Sequence, residues 1–358
     1  MQSVLLSTVV ALVVGLALTP WVIDVFRARG IGELIREDGP ATHFVKHGTP
    51  TMGGLVLITA ATLGYIGAHL KLTGGVHFQG FTAAGVMILA VAWALAFLGM
   101  IDDLAKIRRT RSLGLNKRAK LLGQVIVGFG LAFGALRWSA IDTHITWAGL
   151  AVTVIPALPR IGFAIWVVFL IAAESNGVNF ADGVDGLAAG SAAMGFFVFT
   201  IIAFWEFRNP GVYGQLGPAG GTGHLDLAMA SAALLGACIG FLWWNAAPAR
   251  IIMGDTGALS LGGALAALAL FTRTQLLLAI IGGLFVIESM SVVLQIASYR
   301  LFDGRRIFAM APLHHHFELR GWAEFTVIVR FWLIAALTAG LGLALFYMDF
   351  LGHGTLGP

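Results

Sequence analysis

The stretch "AFLGMIDDLAKIRR" (residues 96–109) runs from apolar sequence into two adjacent carboxylates and then into a basic cluster. The run ahead of it, residues 81–101, carries no charged side chain. Its length is close to the ~20 residues that a helix needs to cross a bilayer. The join therefore reads as a membrane helix reaching water, with Asp102 and Asp103 at the boundary. Taken alone, the pair fits a solvated helix end as well as it fits a metal site.

The rest of the chain repeats the pattern. Hydrophobic residues make up 58% of the 358 residues and charged ones 11%, where soluble domains carry about 25% charged residues. The fold class that follows is an all-α polytopic membrane protein. Apolar runs at 4–26, 53–70, 81–101, 119–138, 161–176, 186–207, 226–244, 252–271, 276–299 and 326–350 predict about ten transmembrane helices. No low-complexity linker or sequence repeat divides them, so residues 1–358 read as a single integral-membrane domain. The glycine-rich stretches "LSLGGALAAL" and "LTAGLGLALF" suit close helix packing in lipid, where small residues let backbones approach. Cys238, alone of its kind, excludes an internal disulfide and reads as a small core residue.

Lys and Arg orient the bundle. One set of alternate loops holds Arg27, Arg29, Arg36 and Lys46, then the cluster Lys106–Lys120, then Arg250, Arg300, Arg305, Arg306 and Arg320. The other set holds only Lys71, Arg137, Arg160, Arg208 and Arg273. Positive-inside bias puts the first set in the cytoplasm and both termini outside, in the periplasm. The first span has no basic residue ahead of it, so it reads as a retained helix and not as a cleaved signal. The net charge of +4 is then an orientation signal. Basic residues without interleaved aromatics argue against a nucleic-acid partner.

On this topology the least apolar residues gather on one membrane face. Asp102 and Asp103 close the third span. Asp182 and Asp185 lie in "ESNGVNFADGVDGLAAG", between the fifth and sixth spans, where a helical first turn would put them on a common side. Asn176 and Asn179 repeat that spacing just upstream. Asp255 opens the eighth span in "NAAPARIIMGDTGALSLGG", His314, His315 and His316 lie in the last loop, and Lys46 lies in the first. Acids at membrane depth are costly and are functional candidates for that reason. Carboxylate and amide oxygens suit Mg²⁺ or Mn²⁺. Zinc fits less well, because consecutive helical residues point about 100° apart and three adjacent histidines cannot converge on one ion. Metal and basic groups facing the cytosol within a lipid-embedded bundle point to phosphoryl chemistry on a lipid. There is no G-x-x-x-x-G-K-[ST] sequence, which argues against an ATP-driven pump.

"KHGTPTMGG", "GMIDD", "NGVNFADGVDGLA", "MGDTGALSLGG", "IESMSVVLQ" and "PLHHHFELRGW" together resemble the phospho-N-acetylmuramoyl-pentapeptide transferases. These form a branch of the polyprenyl-phosphate N-acetylhexosamine-1-phosphate transferase superfamily, and the resemblance spans nearly the whole chain. It implies transfer of phospho-N-acetylmuramoyl-pentapeptide from UDP-N-acetylmuramoyl-pentapeptide to undecaprenyl phosphate. UMP is released and lipid I forms for peptidoglycan synthesis in the bacterial inner membrane. Mg²⁺ as cofactor and a homodimer are implied as well. By the same resemblance Asp255 is a direct metal ligand, Asp102 and Asp103 are an essential acidic pair that holds metal or deprotonates the lipid phosphate, and Asp182 is a further essential acid. Lys46, Asn245 and Asp185 match positions lining the uridine pocket, Lys120 a lysine near the substrate phosphates, and His314–His316 the triplet at the site. Thr51, Asn176 and Asn179 complete the substrate-binding set. Ile252 departs from the aromatic residue common at its position, and Gly177 and Phe180 also differ from the usual pattern.

Two other readings stay open at this point: a sister enzyme that moves N-acetylglucosamine-1-phosphate to polyprenyl phosphate, and a lipid-linked-sugar transporter. A transporter would spread its acids through the membrane depth, whereas these collect on one face. In the last loop, residues 301–325 mix Leu301, Phe302, Ile307, Phe308, Leu313, Phe317 and Leu319 with arginines and histidines. That composition fits an interfacial amphipathic helix and equally an ordinary loop with buried aromatics. Glu288 reads as a buried acid with a structural partner.

Overall fold

A computed structural model describes residues 1–32, 48–71, 77–78, 80–109, 114–139, 141–148, 153–155, 157–214, 216 and 223–354; Lys46 lies outside them. Among the described residues nine helices are long and apolar enough to cross a membrane. They are α1 (Gln2–Ala28), α3 (Ala83–Arg109), α4 (Lys117–Trp138), α5 (Arg160–Ala181), α6 (Leu187–Arg208), α8 (Gly223–Asn245), α9 (Gly254–Phe271), α11 (Gly283–Leu301) and α13 (Glu324–Gly354). The apolar α2 (Gly54–Ala68) is a shorter tenth. One-turn helices α7 (Pro210–Tyr213) and α10 (Leu278–Ile281) and the seven-residue α12 (Leu313–Leu319) complete the set. Two small antiparallel hairpins, β1 (Leu70–Lys71) with β2 (His77–Phe78) and β3 (Ile145–Thr146) with β4 (Thr153–Ile155), join helices at one end of the bundle.

Two elements differ from the sequence expectation. The acidic pair does not end α3, which continues to Arg109. Lys106, Arg108 and Arg109 in its last turns complement the negative end of the helix dipole, so the helix has reason to continue past the apolar run. The ninth span is interrupted at Gly282, between α10 and α11.

Small residues set the packing. A Cβ on Gly236 of α8 would lie 2.1 Å from the Thr8 carbonyl of α1, and one on Gly64 of α2 would lie 2.6 Å from the Ala11 side chain. Contacts that tight are open only to glycine, and they bring α1, α2 and α8 together as lipid-embedded helices require. Serines cross-link the interior: Ser7 donates to the Met229 carbonyl, Ser231 to that of Phe196 and Ser260 to that of Ala92, each at 2.8 Å. Cys238 is fully buried, as a core residue. At the centre stands α9, with 94% of its apolar window buried, against 22% for α1 and 28% for α11.

At the end of the bundle bearing the hairpins, buried polar groups pair off. Asp226 at the start of α8 accepts hydrogen bonds from the Tyr65 hydroxyl (2.8 Å) and from the Thr82 N–H (2.8 Å). His69 Nε2 makes an ion-pair contact with its other oxygen at 2.9 Å. His224 Nδ1 lies 2.8 Å from Glu206. The other end carries Lys106 and Lys120 with Asp102, Asp103, Asp182, Asp185 and Asp255.

Candidate functional site

On α3, Gly99, Asp102, Asp103 and Lys106 recur at three- and four-residue spacing and so share a face. That face meets the first turn of α9. Gly99 makes the approach possible, because a Cβ there would lie 2.2 Å from the Asp255 carbonyl oxygen. Asp103 then accepts hydrogen bonds from the backbone N–H groups of Asp255 (3.2 Å) and Thr256 (3.0 Å) and from the Thr256 hydroxyl (2.7 Å). Those amides are unsatisfied donors of a helix start, and α9 has no side-chain cap of its own. Asp103 supplies that cap from a different helix.

Asp102 is held less tightly. One of its oxygens accepts from the Leu115 N–H (2.8 Å) and the other lies 3.0 Å from Lys106 Nζ. Asp255 is gripped from α4 and α5. Lys120 Nζ sits 2.6 Å from its Oδ2 and Asn179 Nδ2 donates to its Oδ1 at 2.8 Å, while Lys120 also contacts Asn179 (3.3 Å). Lys120 is presented by α4, whose start is capped by Asn116 accepting from the Ala119 N–H at 2.7 Å. One oxygen from each of Asp102, Asp103 and Asp255 lies within 4.8 Å of the others. Lys106 Nζ contacts all three carboxylates, at 3.0, 3.2 and 3.2 Å. An ammonium group thus occupies the point at which three carboxylates converge. Lys106 was read from the sequence only as an orientation charge, although its place one turn after Asp102 and Asp103 was the available signal.

The remaining predicted residues lie around this cluster. Asp182 closes α5 and Asp185 precedes α6, which begins only after Gly186 at φ +75°. The two acids therefore sit in a turn and do not share a helical face. Asp185 Oδ2 accepts from the Ala249 N–H (2.9 Å), and its own N–H donates to Glu324 (3.3 Å), tying the turn to the α8–α9 loop and to α13. Residues 50–54 pair with that loop through Ile252 N–H to Pro50 O (2.7 Å), Gly53 N–H to Ile252 O (2.9 Å) and Gly54 N–H to Met253 O (3.0 Å). Ile252 contributes here through its backbone. Asn245 donates to the Ile251 carbonyl (2.9 Å). Asn176 does not reach the carboxylates: its amide donates to Gln124 (3.2 Å) and to the Ala172 carbonyl (2.7 Å).

The histidine triplet divides. His314 is fully buried beside Glu288, and His315 Nδ1 lies 2.7 Å from Glu318. A Cβ on Gly183 would come within 2.5 Å of His314 Nε2 and 3.2 Å of His315 Nε2, so both rings face the 182–186 turn. His316 turns away, accepting from the Ala309 N–H (3.0 Å) and packing edge-on against Phe308 and Phe317. Thr51 Oγ1, Asn245 Oδ1 and His314 Nε2 are buried without a hydrogen-bond partner. Other buried atoms elsewhere in the bundle share that condition, among them Glu174 Oε1 and Trp205 Nε1, but these three sit on predicted site residues.

Glycosyl transferase family 4 matches residues 85–273, the segment that carries the carboxylates, Lys120, Asn179 and Asn245. The phospho-N-acetylmuramoyl-pentapeptide-transferase of Frankia alni is 49% identical over 365 residues, covering 99% of this chain and 99% of its own. That of Mycobacterium avium is 49% identical over 363 residues, covering 98% and 99%. The chain belongs to the phospho-N-acetylmuramoyl-pentapeptide-transferase family. Bacterial relatives of full length, together with the apolar helices, make this family member a multi-pass protein of the bacterial inner membrane.

Proposed function

We propose that the carboxylate cluster is the phosphoryl-transfer centre of an enzyme that moves phospho-N-acetylmuramoyl-pentapeptide from UDP-N-acetylmuramoyl-pentapeptide to undecaprenyl phosphate, forming lipid I. The transfer follows from family membership. What supports its location is the convergence of Asp102, Asp103 and Asp255 on one ammonium group, with Lys120 and Asn179 gripping Asp255 from outside.

The residues present fit Mg²⁺. Lys106 Nζ is a stand-in cation, and all-oxygen carboxylate donors are those that magnesium prefers. Asp255 and Asp102 would hold the ion, with Asp103 fastened to the start of α9 beside them and its Oδ1 also in contact with Lys106 (3.2 Å). Bound there, magnesium would neutralise charge on the pyrophosphate oxygens.

The chain's own groups do the rest. An oxygen of undecaprenyl phosphate attacks the phosphorus attached to the sugar, that phosphorus loses its bond to UMP, and UMP leaves with the electron pair. Lys120, steadied by Asp255 and Asn179, offsets charge on the phosphates. Thr51 Oγ1 and Asn245 Oδ1 offer polar contacts to the nucleotide, and Asp185 holds the α8–α9 loop, which follows Asn245 and pairs with residues 50–54. A phosphate monoester already carries about −1.5 to −2 charge at neutral pH, so the acidic pair need not act as a base. Asp102 and Asp103 position and bind. Trapping a phosphorylated enzyme during turnover would replace this direct displacement with a two-step route.

Positive-inside bias assigns the site to the cytoplasmic face with both termini periplasmic, on a single membrane domain. Between the end of α11 and the start of α13 only Leu313–Leu319 is helical, and Leu301, Phe302 and Ile307 are exposed beside Arg300, Arg305 and Arg306. That surface suits the membrane interface. A homodimer is the assembly that the sequence resemblance implies.

The test is UMP release from UDP-N-acetylmuramoyl-pentapeptide with added undecaprenyl phosphate, followed against Mg²⁺ concentration. Turnover should vanish with EDTA, return with Mg²⁺, and fall by about 10²-fold or more in Asp255→Asn. Undiminished turnover in that variant would remove Asp255 as the metal anchor.

A further inference from the structure

Glu288 lies in the membrane-spanning α11, fully buried, and both of its oxygens are used. Oε2 accepts the Leu313 N–H at 2.7 Å, and Oε1 lies 3.1 Å from His314 Nδ1. The first bond satisfies an amide at the start of α12, so the acid seats that helix. The second bond does something different. An ionised carboxylate only accepts, so His314 Nδ1 must carry the proton. The other nitrogen, Nε2, is buried, unpartnered and directed at Gly183 between the essential-acid candidates Asp182 and Asp185. Gly183 is the residue that leaves room for it, since any Cβ there would lie 2.5 Å away.

We infer that Glu288 is a positioning residue for the transfer reaction: by holding the proton on His314 Nδ1 it fixes Nε2 as the nitrogen presented to substrate at the 182–186 turn. The inference rests on the reading of that turn as part of the substrate site. In this arrangement neutral His314 offers a lone pair to a hydroxyl or amide donor of the substrate. Once protonated, it offers an N–H to a phosphoryl oxygen, with the Glu288 carboxylate balancing the charge. The surrounding charged and titratable groups are His315, whose ring centroid is 4.1 Å from that of His314, its partner Glu318, and Asp182 and Asp185 in the facing turn. Neither of the last two is placed as a metal ligand above.

The geometry makes one near-isosteric substitution decisive. In Glu288→Gln the side-chain oxygen must turn to the Leu313 N–H, because two donors cannot face each other. The amide NH₂ is then left against His314 Nδ1. It can only donate, so the ring proton moves to Nε2 and the presented nitrogen is inverted. Full-length protein in lipid nanodiscs, wild type, E288Q, H314N and the double variant, would be compared by UMP release, thermal unfolding and ¹⁵N-histidine NMR. The signal lost in H314N identifies His314.

The wild-type signal should report protonated Nδ1, and that of E288Q protonated Nε2. E288Q should unfold within a few degrees of wild type yet turn over about 10²-fold or more slowly, the scale of a misplaced acid–base group. The double variant should be no slower than H314N, because Glu288 acts through the ring. A wild-type Nε2-protonated tautomer, near-normal turnover in E288Q, or losses that multiply in the double variant would each overturn the inference. The wild-type spectrum decides the point even if E288Q fails to fold. Full turnover in H314N would instead remove His314 from the site, and the nitrogen signals would still report separately on Glu288.

Discussion

Replacing Gly99 by alanine probes the join on which the site is built. The added Cβ would stand 2.2 Å from the Asp255 carbonyl oxygen, 2.4 Å from its carbonyl carbon and 2.5 Å from the Thr256 nitrogen. All three are backbone atoms, so no change of rotamer relieves the clash. Ordinary contact begins near 3.4 Å, and α3 and α9 must therefore part by about 1.2 Å. The bonds from Asp255 and Thr256 to Asp103, now 2.7–3.2 Å long, cross that same gap. Lengthened to about 4 Å they cease to be hydrogen bonds. Asp255 then moves away from Asp102 by the same amount, and a displacement of ~1 Å at a reacting centre costs about 10²-fold in rate. UMP release at saturating Mg²⁺ should fall by that factor. Gly130→Ala on α4, where a Cβ meets nothing within 4 Å, should leave turnover unchanged. If G99A kept more than half of the G130A rate, the α3–α9 contact would not be what sets the carboxylate spacing.

The two acids of the pair should separate by assay. Asp103→Asn turns an amide NH₂ toward the backbone donors of α9 and should lower unfolding stability by about 1–3 kcal/mol. Asp102→Asn should leave the melting temperature in place and raise the Mg²⁺ concentration needed for half-maximal turnover; the opposite pattern would exchange their roles. At the far end, His69→Gln removes the contact at 2.9 Å with buried Asp226 and should lower the melting temperature, by an amount corresponding to about 1–3 kcal/mol; an unchanged melting temperature would show that the contact contributes nothing to stability.

Most of the membrane architecture is legible in the sequence, because a span needs only a long enough apolar run. The interruption at Gly282 could not, since a single glycine among 47 looks like the packing glycines elsewhere. Asp102, Asp103, Asp255, Lys120 and Asn179 could be assigned to one face by charge bias and resemblance, and they meet there. Their division of labour was hidden, because it depends on which oxygen faces the amides of a helix 152 residues away. The turn at Asp182–Asp185 and the start of α6 are legible in the sequence, but the shared face that a helical first turn would give the two acids is not realised, because Gly186 at φ +75° keeps them ahead of α6. Glu288 and His314, 26 residues apart, share no periodicity, and the triplet looked uniform until its rings pointed in different directions. His69 and His224 drew no reading because their partners, Asp226 and Glu206, come from other helices.

The envelopment of α9 has a mechanical consequence. A bilayer acts on a helix through the side chains that face lipid, tilting it when hydrophobic lengths disagree. With 94% of its apolar window enclosed by protein, α9 offers the lipid almost nothing to push on, whereas α1, α4 and α11 take the load. Asp255 stands on the shielded helix and is fastened at its base by Asp103. The carboxylate cluster is thereby mounted on an inner column inside a sleeve of helices, so that changes in membrane thickness strain the sleeve before they disturb the spacing of the carboxylates.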